Sequence, residues 1–138
     1  MADLTFELLE HCQLKRERLA DQLRLTVAEF KLFRAFRGDA VLSVNEIAGR
    51  LDLSPSRLTR IIDGLEEKRF LRRAISTRDR RVMDITLTDQ GRKVQGQLED
   101  TYVRTHEDIL KLLPNGATDS VLLAMEKLRD AMKRWVEQ

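Results

Sequence analysis

The sequence predicts a mainly α fold that carries one small β-hairpin. Three observations support this. Apolar residues recur at three-or-four spacing along most of the chain. Two of those stretches open on a Ser/Thr-x-x-Glu box, in which each side chain bonds the other's backbone amide. Only between residues 70 and 87 does the apolar period shorten to two, the mark of half-buried strands.

The first helix is read over roughly 3–22, from Leu4, Leu8, Cys12, Leu19 and Leu23, with Lys15 and Arg16 interrupting the stripe. The second begins at Thr26, boxed by Glu29, with Val27, Phe30, Phe33 and Phe36 apolar. Gly38, Asp39 and Ala40 break it. A third helix starts at Ser43, boxed by Glu46, and turns Val44, Ile47, Ala48 and Leu51 inward. Asp52-Leu53-Ser54 is a short turn. Ser54 is a natural cap for a fourth helix ending near Lys68, and Pro55 at its first position forfeits no hydrogen bond. Strands are expected over 70–75 and 82–87, joined by a tip at 76–81, with Met83, Ile85 and Leu87 alternating against Asp84 and Thr86. Thr88 caps a long helix to about Leu113, with Val94, Leu98, Tyr102, Ile109 and Leu112 on one stripe. Pro114-Asn115-Gly116 turns the chain. Thr118 opens a last helix bearing Val121, Leu122, Met125, Leu128, Met132 and Trp135.

At 138 residues, this suits one compact domain with three stretches: 1–24 and 93–138 for self-association, and 25–92 as a lobe between them. An apolar fraction of 42% argues against disorder. No apolar run approaches membrane-span length, and early Asp3, Glu7 and Glu10 fit no export signal. One cysteine, Cys12, excludes an intrachain disulfide, so a reducing cytoplasm is the expected location. The total charge of +2 says little, but its distribution says more. Residues 68–81 hold seven cations against Asp79, a net +6, which leaves −4 for the rest of the chain. A local basic patch on an otherwise acidic protein is the footprint of phosphate binding.

Two short helices joined by a three-residue turn, then a basic hairpin, make a winged helix-turn-helix. On the fourth helix Leu58, Ile61, Ile62 and Leu65 form the apolar stripe, while Ser56, Arg60, Asp63 and Glu67 point away and Arg57 and Thr59 flank them. Arg bonds guanine O6 and N7 in pairs, Ser and Thr serve base edges or phosphates, and a helix N-terminus favours phosphate. An isolated polar helix face is more often merely solvated. The order of helix, turn, capped helix and basic hairpin favours double-stranded DNA as partner.

The stretches LTVAEFKLF (25–33), VNEIAGRLDLSPSRLTRIIDGLEEKRFLRR (44–73) and RDRRVMDITLTDQGR (78–92) resemble the MarR family of multiple-antibiotic-resistance regulators. The last, an Arg-Asp-Arg-Arg wing leading into Leu-Thr-x-x-Gly, is the most specific. The resemblance implies a homodimer with interleaved terminal helices. It implies a transcription regulator, more often a repressor, on a pseudopalindromic operator, with release by a small aromatic effector. It implies no cofactor. Carried over by position, Ser54, Ser56, Arg57, Thr59 and Arg60 fall on the recognition helix. Asp79 and Arg81 match the family's wing motif Asp-x-Arg, where the Asp orients the Arg toward a minor groove; Arg72, Arg73, Arg78 and Arg80 of the basic segment are further candidates for DNA contact. The chain departs from the family pattern at Ser76, where many wings carry Asp, and at Arg69, where the helix often ends in Gly. Its first helix is also short before Leu25.

Cys12 invites comparison with peroxide-sensing regulators, although a free cysteine is usually a small buried hydrophobe. His11 and His106 lie far apart, with no metal-ligand spacing around them. No phosphate loop, nucleophile elbow or paired catalytic motif occurs, so no enzyme is expected. The rival reading is a winged-helix module used only for protein contact; such modules usually lack a basic wing.

Overall fold

The computed structural model describes all of residues 1–138. Its elements are α1 (Ala2–Gln22), α2 (Val27–Ala35), β1 (Val41–Ser43), α3 (Val44–Leu51), α4 (Pro55–Glu67), β2 (Leu71–Ile75), β3 (Met83–Leu87), α5 (Asp89–Lys111) and α6 (Thr118–Val136). The fold is thus mostly helical with a small antiparallel sheet, as the periodicities predict. The chain divides into two compact units, Met1–Thr101 and Tyr102–Gln138.

In the first unit both capping boxes form. Thr26 Oγ1 accepts the Glu29 amide at 3.1 Å, and Glu29 Oε2 accepts the Thr26 amide at 2.9 Å. Ser43 and Glu46 repeat the exchange at 3.1 and 2.7 Å. Glu29 is itself buried and also accepts Lys68 Nζ at 2.7 Å, which ties the start of α2 to the end of α4. The core collects Phe30, Leu32 and Phe33 of α2 and Phe36 just past its end, Ile47 of α3, Leu58, Ile62 and Leu65 of α4, and Leu71, Ile85 and Leu87 of the sheet. Phe33 and Phe70 meet edge to face with centroids 6.0 Å apart.

Three features differ from expectation. The hairpin is the larger part of a three-stranded sheet in the order β1-β3-β2, with Leu42 paired to Ile85 and Arg73 to Ile85 from the other side. β1 has three residues, too few to show a period of two. Ser54 stands at the cap position, but its side chain makes no capping bond; its Oγ lies 3.3 Å from Ser56 Oγ. Ser76 opens the tip as expected, but it is buried, which the sequence does not announce, and its amide donates to the Val82 carbonyl at 2.8 Å.

The end of α4 explains where β2 starts. The Arg69 amide donates to Glu66 O and the Phe70 amide to Leu65 O, both at 2.9 Å, so Arg69 adopts φ 60 in a Schellman turn. The end of α1 repeats the pattern with Arg24 at φ 55, Leu25 reaching Ala20 O. Thr88 then seats α5: its Oγ1 accepts the Gly91 amide at 3.0 Å and donates to the Arg69 carbonyl at 2.7 Å. A Cβ on Gly91 would lie 1.8 Å from the Phe70 carbonyl oxygen, which is why that position is glycine.

The second unit contains the rest of α5 and all of α6, and none of its residues is buried. On α6, Leu122, Leu123, Met125, Leu128, Met132 and Trp135 are exposed. No helix is long and apolar enough to cross a membrane.

Candidate nucleic-acid interface

The candidate surface is built by α3, α4 and the β2–β3 wing, all in the first unit. The turn between the helices works because Asp52 takes the left-handed region at φ 50 and the Leu53 amide returns to Ala48 O at 3.3 Å. Leu58, Ile62 and Leu65 then fill the core, and Ile61 is half-buried. That rotation leaves Ser54, Ser56, Arg57, Thr59, Arg60, Asp63 and Glu67 exposed. Thr59 Oγ1 donates to the Pro55 carbonyl at 2.9 Å, so its oxygen remains an acceptor for an outside donor. Arg57 and Arg60 are in no ion pair.

The wing tip closes on Asp79. Its Oδ1 accepts the Arg81 amide at 3.0 Å and Arg81 Nε at 3.2 Å, and its Oδ2 accepts Nη2 at 3.4 Å. The Arg81 side chain is nonetheless 90% exposed. The backbone bond from Arg81, and secondly its guanidinium, hold the Asp79 carboxyl below the usual carboxylate range. Ser76 Oγ accepts the Arg78 amide at 3.2 Å, so a hydroxyl supplies the turn acceptor without a charge. Arg78 and Arg80 are exposed beside the pair.

Arg72 and Arg73 part company, because neighbours on a strand face opposite ways. Arg72 is exposed. Arg73 shares the face of buried Leu71 and is half-buried. Its Nη2 donates to Asp63 Oδ1 at 2.7 Å and to Glu66 Oε2. The Glu66 bond, the larger influence against burial, pushes the guanidinium further above its usual range. The alternation with Leu71 is the sequence signal that separates the two arginines. Sequence reasoning over residues 68–81 also missed that Lys68 is engaged by Glu29. Within residues 54–81 the cations without an ion pair are therefore Arg57, Arg60, Arg69, Arg72, Arg78 and Arg80. A hollow of about 270 Å³ lies between α3, α4 and the wing, lined by residues including Thr59, Arg73, Arg81 and Met83. Cys12 is half-buried on α1, apart from these elements in sequence.

The model of the MarR family matches residues 25–83. The transcriptional repressor MdtR of Bacillus subtilis is 39% identical over 67 residues, which cover 49% of this chain and 43% of that protein. The regulator PecS of Dickeya dadantii is 29% identical over 97 residues, covering 68% and 58%. The matches span about half the length of such curated relatives. Among solved structures, the YusO protein from Bacillus subtilis superposes with a TM-score of 0.75 at 26% identity, covering 95% of each chain. A MarR mutant from E. coli complexed with operator DNA gives 0.69 at 24% identity, over 88% and 91%, and shares the fold.

Proposed function

We propose that the chain, whose residues 25–83 match the model of the MarR family, is a member of that family: a DNA-binding transcription regulator, a repressor, working in the cytoplasm as a homodimer and catalysing nothing. One observation carries the reading. Arg57 and Arg60 stand exposed and unpaired in the first two turns of α4, beside an Arg81 that Asp79 aims into solvent. A helix in the major groove reads base edges through such arginines, and a wing Arg suits the negative potential of a narrow minor groove. The name of MdtR, a repressor, supports the sign of regulation. A two-fold dimer would grip a pseudopalindrome with half-sites about one helical turn apart.

A small aromatic acid is the effector this surface would accept. The hollow at Thr59 offers a hydroxyl, two guanidiniums and the Met83 thioether. A ligand there would compete with DNA for Thr59 and Arg81.

The test is selection of bound duplexes from a random pool, followed by single-base changes in the selected site. Arg57→Ala or Arg60→Ala is expected to cost ~1–3 kcal/mol at one base-pair position and to relax preference there. Uniform loss across all sequences would reverse the assignment of α4 as the reading element. Binding unaffected by either substitution would favour a protein-contact module.

A further inference from the structure

We infer that Arg73 is a positioning residue of this interface: it holds Asp63 away from Arg60 and so keeps Arg60 available to DNA without touching DNA itself. The inference rests on the proposed DNA-binding reading. Arg60 and Asp63 are three residues apart on the exposed face of α4, the spacing at which an arginine and a carboxylate pair on a helix. Yet Arg60 is unpaired, and Asp63 Oδ1 instead accepts Arg73 Nη2 at 2.7 Å. The same nitrogen meets Glu66, one turn further along α4. Arg73 reaches both from β2. It shares a face with buried Leu71 and sits opposite buried Ile85, and its side chain is 31% exposed. One guanidinium thus neutralises two carboxylates that the recognition helix would otherwise turn on its own Arg60 or on a nearby phosphate. It also fixes the wing to α4 through two charge-assisted bonds.

The inference is tested with a duplex selected by the wild-type protein from a random pool. Arg73→Gln is expected to lose affinity on the order of 10-fold, with preference relaxed at the same base pair that Arg60→Ala relaxes. The slope of log affinity against log salt should stay close to that of the wild type, since a base contact and no phosphate contact is lost. Arg60→Ala/Arg73→Gln should bind no more weakly than Arg60→Ala, and Arg73→Gln should cost little in an Asp63→Asn background, as coupled groups require. Additive losses in either background would mean that Arg73 meets DNA directly, and would overturn the inference while leaving the DNA reading intact. If the wild-type protein retains no duplex at low salt, both fall. Should Arg73→Gln fail to fold, Arg73→Gln/Asp63→Asn/Glu66→Gln leaves no carboxylate unpaired. Compared with Asp63→Asn/Glu66→Gln, unchanged base preference supports the inference and a 10-fold loss overturns it.

Discussion

Asp79 closes the wing tip and aims Arg81 with the same carboxylate, so the turn and the direction of the cation are one arrangement. Arg81→Ala is expected to weaken binding to many sequences alike and to lower the salt slope by about one. Asp79→Ala should do the same more mildly, since it removes the aim and keeps the charge. Binding isotherms at two salt concentrations check both. The depressed carboxyl sets the pH dependence. A folded pKa below the unfolded one contributes stability at pH above the unfolded value, and that contribution is lost as pH falls through the folded value. The contribution of Arg81 to affinity should therefore stay constant between about pH 5 and pH 8, well above both. A decline within that window, in parallel titrations of Arg81→Ala and the wild type, would contradict the pairing. The Asp79–Arg81 pair was legible in the sequence because its partners lie two residues apart. The partners of Arg73 are on another element, and a run of cations conceals which of them are already engaged.

Elements here begin and end for reasons that are mostly local, which is why helix starts were readable to within a residue or two. Thr26, Ser43 and Pro55 announce their helices chemically. β1 announced nothing, since its only buried residue is Leu42 and its pairing to β3 joins Leu42 and Ile85 across the 42 residues between them. Glycine in α5 separates packing from propensity. Gly91→Ala forces a methyl into the Phe70 carbonyl and should cost about 3 kcal/mol or more. Gly96→Ala, where nothing lies within 4 Å, should stabilise by ~0.5–1 kcal/mol. Urea midpoints at constant m-value measure both, and equal effects would mean the close approach at Gly91 is relieved cheaply. The Schellman ends offer the converse. Arg24→Gly removes a left-handed arginine at φ 55 and is expected to stabilise by up to ~1 kcal/mol. A lower melting temperature would show that its side chain contributes more than its backbone costs.

At the scale of the molecule, apolar surface is distributed unevenly. The first unit has a full core, yet its α1 exposes Leu4, Phe6, Leu8, Leu9 and Leu14, while the second unit buries nothing. A self-complementary two-fold interface would cover these stripes. Sedimentation is expected to find a dimer at micromolar concentration, and a well-folded monomer there would count against the assembly. The sequence shows these stripes as helical periodicities, but periodicity does not distinguish an inward face from one reserved for another copy. The bare second unit has a consequence for turnover. If copies pair through it, a segment that buries none of its own side chains would depend on association for its protection, so an unpartnered copy would present proteases with an easily opened substrate and a paired copy would not. The amount of regulator that survives would then follow pairing as well as synthesis. A variant able to pair but not to bind DNA would be spared along with its normal partner, and would remain in the population to silence it.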